Sequence, residues 1–348
     1  MNRRIKSLTG AFVVLVAAAV SVSGVSAAEF GARAFGMGGA YTGAEGDVSS
    51  IVYNPSRLTD TSFEVGVGLG ASDVTALASF RNLLTDPSKL TDEESIDLVA
   101  LSGISVGPFG AAFAVDGELE VKTDCPAGDM CARGSMLTQI LLGAGRDSIG
   151  LPFNLAGVKI GAALKRLDAR RIDFNRSDNG LTYETVTDSW NGQGYSLNLG
   201  ASVGPSEMVT LGFSATDILS TITWQGARTD AEYDTASGAE LSSTTTDLGT
   251  STEKLTPVYR AGVSIKPPLM GAMLMADVAS DGTFRYGVEK NFFVNALSLR
   301  AGQIRSAEQT TTTAGIGFNI GPVRLDAAAG SSDGFESMTT MIEGSVRF

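Results

Sequence analysis

Apolar and polar residues alternate one by one along most of this 348-residue chain, and a period of two is the geometry of a β-strand whose faces meet different surroundings. At the C-terminus, Ile342, Gly344, Val346 and Phe348 share one face while Glu343, Ser345 and Arg347 share the other. The same separation recurs at 109–122, 158–165, 195–203, 209–216, 259–266, 284–289, 297–302, 314–320 and 323–329, with weaker versions at 63–71, 98–106, 136–145 and 273–279. Together these make about fourteen strands, an even number as single-chain membrane barrels require. The predicted fold class is all-β: a transmembrane antiparallel β-barrel with an N-terminal plug segment in the lumen.

Connection lengths test this independently. Segments 72–97, 123–133, 170–191 and 225–254 are long, whereas GPFG at 107–110, GPSE at 204–207 and GP at 321–322 are tight. Long loops on one side and short turns on the other is the asymmetry of outer-membrane barrels, with the turns facing the periplasm. The polar, Thr/Ser-rich stretches 170–191 and 225–254 read as solvated surface loops. The apolar stretch 74–84 reads either as a gathering surface for a greasy ligand or as packing over the rim.

Residues 1–27 read as a cleavable signal peptide. Arg3, Arg4 and Lys6 give a basic start, 11–20 an apolar stretch, and Val25-Ser26-Ala27 a small-residue cleavage site. The apolar stretch is too short for a spanning helix, so the exported chain must insert as strands. Two further units follow, 28–60 as the plug segment and 61–348 as the barrel, with the outer membrane as the expected location.

The formal net charge of −12 becomes more acidic once the three basic residues of the signal are removed, which argues against a nucleic-acid partner. With no histidine in the chain, Ser-His-Asp and Cys-His catalysis are excluded. Glu118 and Glu120 share a face, but alternating lumen carboxylates are ordinarily solvated or paired, so no enzyme is predicted. Cys125 and Cys131 lie in one Pro/Gly-containing loop and read as a disulfide in an exported protein. A metal site is the weaker reading, because two thiolates without histidine do not close a zinc shell. No cofactor site is read.

Residues 30–58, FGARAFGMGGAYTGAEGDVSSIVYNPSRL, precede the first strand. They are too glycine-rich for a stable helix and too irregular for a strand. Asp47 is placed to cap a turn beginning at Val48, and Asn54 to cap a brief helix that opens with Pro55. Gly36, Gly38 and Gly39 permit close backbone packing.

This stretch, with its Gly-Met-Gly-Gly-Ala-Tyr at 36–41 and Tyr-Asn-Pro at 53–55, resembles the N-terminal segment of the FadL-like superfamily of outer-membrane barrels. The form is closest to the PorV-like branch, although Ser56-Arg57 stands where that branch usually has Ala-Gly. LRAGQ at 299–303 and AGIGF at 314–318 are similar to its late strands, and the terminal Phe348 resembles the closing residue by which the barrel assembly machinery recognises its clients. The resemblance implies a fourteen-strand barrel whose N-terminal segment folds inside as a plug. It further implies either passage of fatty-acid-like hydrophobic compounds with lateral release into the membrane, or a surface assembly role with an exported protein partner.

Gly36, Gly38, Gly39, Asp47, Asn54 and Pro55 are therefore the predicted plug and gating residues. Arg260, Arg285, Arg300, Arg324 and Glu343 are predicted on the lumen wall, with Lys266, Asp277, Glu289, Asp326 and Arg347 beside them, mostly as cross-strand pairs. Expected partners are outer-membrane lipid and a hydrophobic small molecule.

Overall fold

The computed structural model describes residues 30–72, 94–122, 125, 130–147, 157–268, 270–307, 309–332 and 338–348. The expected signal peptide and the apolar stretch 74–84 lie outside the described residues.

Fifteen strands form one sheet. They are β1 Phe63–Ala71, β2 Glu94–Val106, β3 Phe109–Lys122, β4 Met130–Arg146, β5 Val158–Asp178, β6 Thr182–Ser206, β7 Val209–Asp234, β8 Glu240–Glu253, β9 Val258–Ile265, β10 Ala272–Ala279, β11 Phe284–Phe292, β12 Leu297–Arg305, β13 Thr310–Ile320, β14 Val323–Ser331 and β15 Thr339–Arg347. Each pairs antiparallel with its chain neighbour, except that β7 pairs with both β8 and β9. The ends meet where β1 lies against β15, Glu64 opposite Arg347 through Ala71 opposite Thr340. Phe63 and Phe348 exchange backbone hydrogen bonds of 3.3 and 3.0 Å at that seam. The result is a closed barrel of 14 staves, as the alternation predicts, and all four weaker segments are strands.

The fifteenth strand comes from a correction. The stretches 170–191 and 225–254 are not loops: β5 and β6 run on to a turn near Gly180, and β7 and β8 to one near Gly238. These hairpins stand beyond the short staves β9–β15 and are buried only in patches, at Phe174, Tyr183, Trp224 and Ala231, so no regular alternation marks them. Their β-branched and aromatic residues, in TYETVTDSW and TITWQGARTDAEYD, sustain the ladder instead. Similarly, β4 begins at Met130, so Cys131 sits in the strand rather than in the preceding loop.

Cys125 and Cys131 are disulfide-bonded. The bond closes a loop of only six positions, so reduction is expected to cost about 2 kcal/mol locally. Thermal unfolding of the barrel should shift little on reduction, while unreduced protein should take up no thiol reagent. Labelling of both cysteines without reductant would contradict this.

The plug contains two short helices, α1 Ala32–Gly36 and α2 Ser50–Tyr53, and a 3-10 turn Pro55–Asp60. The helix α1 corrects the expectation that glycine content excludes one. All five of its residues are buried, so packing against β12–β15 rather than propensity holds it. The Asn54 side chain caps the 3-10 turn, accepting from the Ser56 amide at 3.2 Å.

Candidate functional site: a plugged lumen with an apolar step above it

From Phe30 to Leu58 every residue except Glu45 and Val52 is buried. The segment lies against the inner wall in the half of the barrel that carries the short turn 107–108 and is fixed by three sets of contacts.

The first set is ionic. Arg33 donates from Nε and Nη2 to both oxygens of Glu289, each at 3.0 Å. Glu289 also accepts from Arg300 Nε at 2.7 Å, Arg300 Nη1 donates to Asp326 at 2.6 Å, and Arg324 Nε donates to the other Asp326 oxygen at 2.7 Å. A bidentate plug contact thus continues into a chain of alternating charge across β11, β12 and β14. Arg33 Nη1 adds bonds to Tyr41 Oη and the Glu45 carbonyl, both 3.0 Å. Asp47 accepts from Tyr41 Oη and from the Ser49 amide. Burial pushes the Asp47 carboxyl up, but Arg33 and Arg324, with the Ser49 and Tyr41 hydrogen bonds, more than offset this and hold it below the ordinary aspartate value.

The second set is a carboxylate clasp. One oxygen of Asp277 accepts from the Tyr41 and Thr42 amides at 2.9 Å and from Thr42 Oγ1 at 2.7 Å. Glu64 accepts from the Val48 amide at 3.0 Å, and Glu343 from the Arg33 amide at 3.5 Å. The third set is backbone contact through glycine. A Cβ on Gly200 would stand 2.1 Å from Asn54 Oδ1, one on Gly161 2.3 Å from the Pro55 carbonyl carbon, and one on Gly38, whose φ is +64°, 2.5 Å from the Gln303 nitrogen. Any side chain at these points displaces the plug.

Each predicted residue can now be placed. Gly36 packs on Gly315 and Gly38 on Gln303, Gly39 has φ +67°, and Asn54 Nδ2 donates to the carbonyls of Thr42 at 2.8 Å and Ala201 at 3.2 Å. Arg260, Arg285, Arg300, Arg324 and Glu343 are on the lumen face, Arg260 with its guanidinium 5.9 Å from the Tyr53 ring centre. Lys266 reaches Glu45 at 2.9 Å and Arg347 the Asp60 carbonyl at 3.1 Å, both near the short-turn end of the barrel.

Above the plug the lumen wall turns apolar. Leu137, Leu167, Ala169, Ile222, Trp224 and Leu255 form one buried cluster with Trp190 against it. These include both tryptophans of the chain. Glycine again makes the room: a Cβ on Gly192 would lie 2.7 Å from the Trp224 ring, and one on Gly226 2.5 Å from Trp190. The rim is polar, with Arg171 stacked 4.2 Å above the Trp224 ring centre and Glu253 accepting from Trp224 Nε1 at 2.9 Å and from Arg171 at 3.0 Å. Of the cluster residues only Trp190 lies in a stretch read from the sequence as a loop, and no reading brought the others to one place. The available signal was the pairing of each tryptophan with glycines two residues away, WNGQG at 190–194 and WQG at 224–226.

At the boundary between plug and apolar step, β7 changes partner from β9 to β8 and kinks, with Asp217 and Leu219 at φ +59° and +54°. Asp217 pairs with Lys165. Asn198 spans the boundary, accepting from the Asp217 amide at 3.1 Å and donating to the plug carbonyl of Val52 at 3.4 Å.

No protein-family profile and no curated protein matches the sequence. Solved structures do. The P. putida toluene transporter TodX aligns with TM-score 0.65 at 10% identity over 93% of this chain and 99% of TodX. The fold is that of the FadL-like channels. The CymD monoaromatic hydrocarbon channel aligns at 0.62 and 12% identity over 95% of this chain and 98% of CymD, and a Pseudomonas aeruginosa FadL homologue at 0.58 and 9% over 94% and 100%. The alignments span nearly the whole of both chains, so the likeness is one of the entire fold.

Proposed function

We propose that this FadL-like barrel passes small hydrophobic compounds across the outer membrane. The carrying observation is the tryptophan-containing apolar step directly above a polar plug: a ligand leaving water is desolvated on Trp190, Trp224, Leu137 and Ile222 before it meets the plug. The named transport of toluene and monoaromatic hydrocarbons by TodX and CymD supports this reading, and the two flat indoles favour ring compounds at least as much as fatty-acid-like chains. Gly36–Gly39 and Asn54-Pro55 are proposed as the parts that seat and release the plug.

Because both tryptophans belong to this cluster, intrinsic fluorescence reports on it without a label. Titration with toluene or a long-chain fatty acid should change the emission saturably, and small sugars should not. In liposomes, Trp190→Ala/Trp224→Ala should slow uptake of the active compound several-fold while the barrel remains heat-modifiable. Unchanged emission together with unchanged uptake would remove the apolar step from the mechanism.

A surface assembly role is the second reading, favoured by β8. Among the described residues it pairs only with β7, which leaves a long polar edge open to an extended segment of an exported protein. The terminal strand with Phe348 is proposed to engage the barrel assembly machinery.

A further inference from the structure

The outer wall carries a groove of about 990 Å³ across β4, β5, β6, β7, β9 and β10. Its floor is alanine, at Ala144, Ala162, Ala201, Ala215 and Ala261, flanked by Ile160, Phe213 and Val278. All of these face away from the lumen. The groove follows the hydrogen-bonded rungs: Ala144 pairs with Ala162, Ala162 with Leu199, Leu199 with Ala215, and Ala215 with Tyr259. A Ser280-to-Tyr259 backbone bond of 2.8 Å carries the rung towards β10. Crossing the six staves takes a path of ~24 Å at the usual spacing between strands.

The inner side explains the shape. Directly behind the alanines stand Gly145, Gly161, Gly200 and Gly212, with plug atoms where their side chains would be: a Cβ on Gly212 would lie 2.1 Å from the Thr42 carbonyl oxygen. At these alanine positions the wall between plug and membrane is one backbone layer with a methyl group outside and glycine inside, while Leu199, Phe213 and Tyr259 form the sides of the groove. Outside the alanine floor the outer face is ridged by large residues such as Leu142, Leu164 and Leu274.

One end of the groove is charged. Arg146 closes β4 at the periplasmic side, is exposed, and has the outward parity of Leu142 and Ala144. Among the described residues no ion pair includes it. An outward cation at the periplasmic boundary, opening onto an apolar track, has the chemistry of a phosphate seat with a chain attached. The track exceeds half the ~30 Å hydrocarbon thickness, enough for a chain from one leaflet lying obliquely.

We propose that the groove holds one acyl chain of an inner-leaflet phospholipid whose phosphate is bound by Arg146. Lipid then packs against the glycine wall opposite Asn54-Pro55 and supports the plug from outside. The proposal rests on the membrane-barrel fold and does not require transport.

The chain has no free cysteine among its described residues, so a single introduced thiol can carry a fluorophore. Ala201→Cys places it in the groove and Leu274→Cys on the lipid face outside it. In bilayers with increasing phosphatidylglycerol carrying brominated chains, quenching at 201 should reach half-maximum at a several-fold lower mole fraction than at 274. Arg146→Gln should abolish that difference. Native mass spectrometry from the same bilayers should show one retained phospholipid, lost in Ala162→Trp/Ala201→Trp. Identical quenching curves at 201 and 274 would reduce the groove to ordinary boundary lipid and overturn the proposal. Early quenching at 201 that ignores Arg146→Gln but is relieved by toluene would assign the groove to cargo and overturn it equally.

Discussion

Deleting residues 30–57 is expected to raise single-channel conductance in planar bilayers by roughly an order of magnitude, because a barrel of this stave number without a plug leaves an aqueous lumen. The wall survives the loss for a physical reason. Glu289, Arg300, Asp326 and Arg324 remain paired across β11, β12 and β14, and water entering the lumen solvates the side of Glu289 that Arg33 had covered. The strand ladders do not pass through the plug. The truncated protein should still insert and show heat-modifiable migration, while selectivity between hydrophobic compounds and small sugars disappears. Conductance equal to that of the intact barrel would remove gating from the plug. If the intact barrel also retained an exported protein partner, the assembly reading would take the place of transport.

Glu289→Leu should destabilise the intact protein by about 3–5 kcal/mol, the usual consequence of stranding a buried partner. Glu289 is 4% exposed and is bound by both Arg33 and Arg300. Its removal leaves two guanidiniums facing each other across a buried plug–wall contact. Relief comes by hydration, which requires the plug to move. The variant should therefore unfold at lower denaturant and also leak ions, whereas Arg166→Gln, which removes an exposed pair with Asp168, should change stability by no more than about 1 kcal/mol and leave conductance alone. A Glu289→Leu barrel with unaltered denaturation and conductance would show that the ionic chain does not seat the plug.

The sequence was informative where two environments press on a strand at once. Along β9–β15 one face meets lipid and the other the lumen, so Phe284, Tyr286 and Val288 alternate with Arg285, Gly287 and Glu289 and the register can be read directly. Beyond the membrane that constraint ends. The outer halves of β5–β8 are buried only in patches and rich in polar residues, and their strands looked like loops. The tryptophan cluster was not legible either, because Trp190, Trp224 and Leu167 come together only through rungs between three strands.

What the sequence by itself determined was the class: alternation, strand number, the lumen charges and the compact glycine-rich segment ahead of the first strand. Only the tertiary structure decided the partners. Arg33 and Glu289 are 256 positions apart, and nothing local to either selects the other. Closure of β1 on β15 and the register of each rung bring them within bonding distance. The same closure sets the plug backbone against Gly161, Gly200 and Gly212, because a contact made by missing side chains depends on which backbone arrives to fill the space.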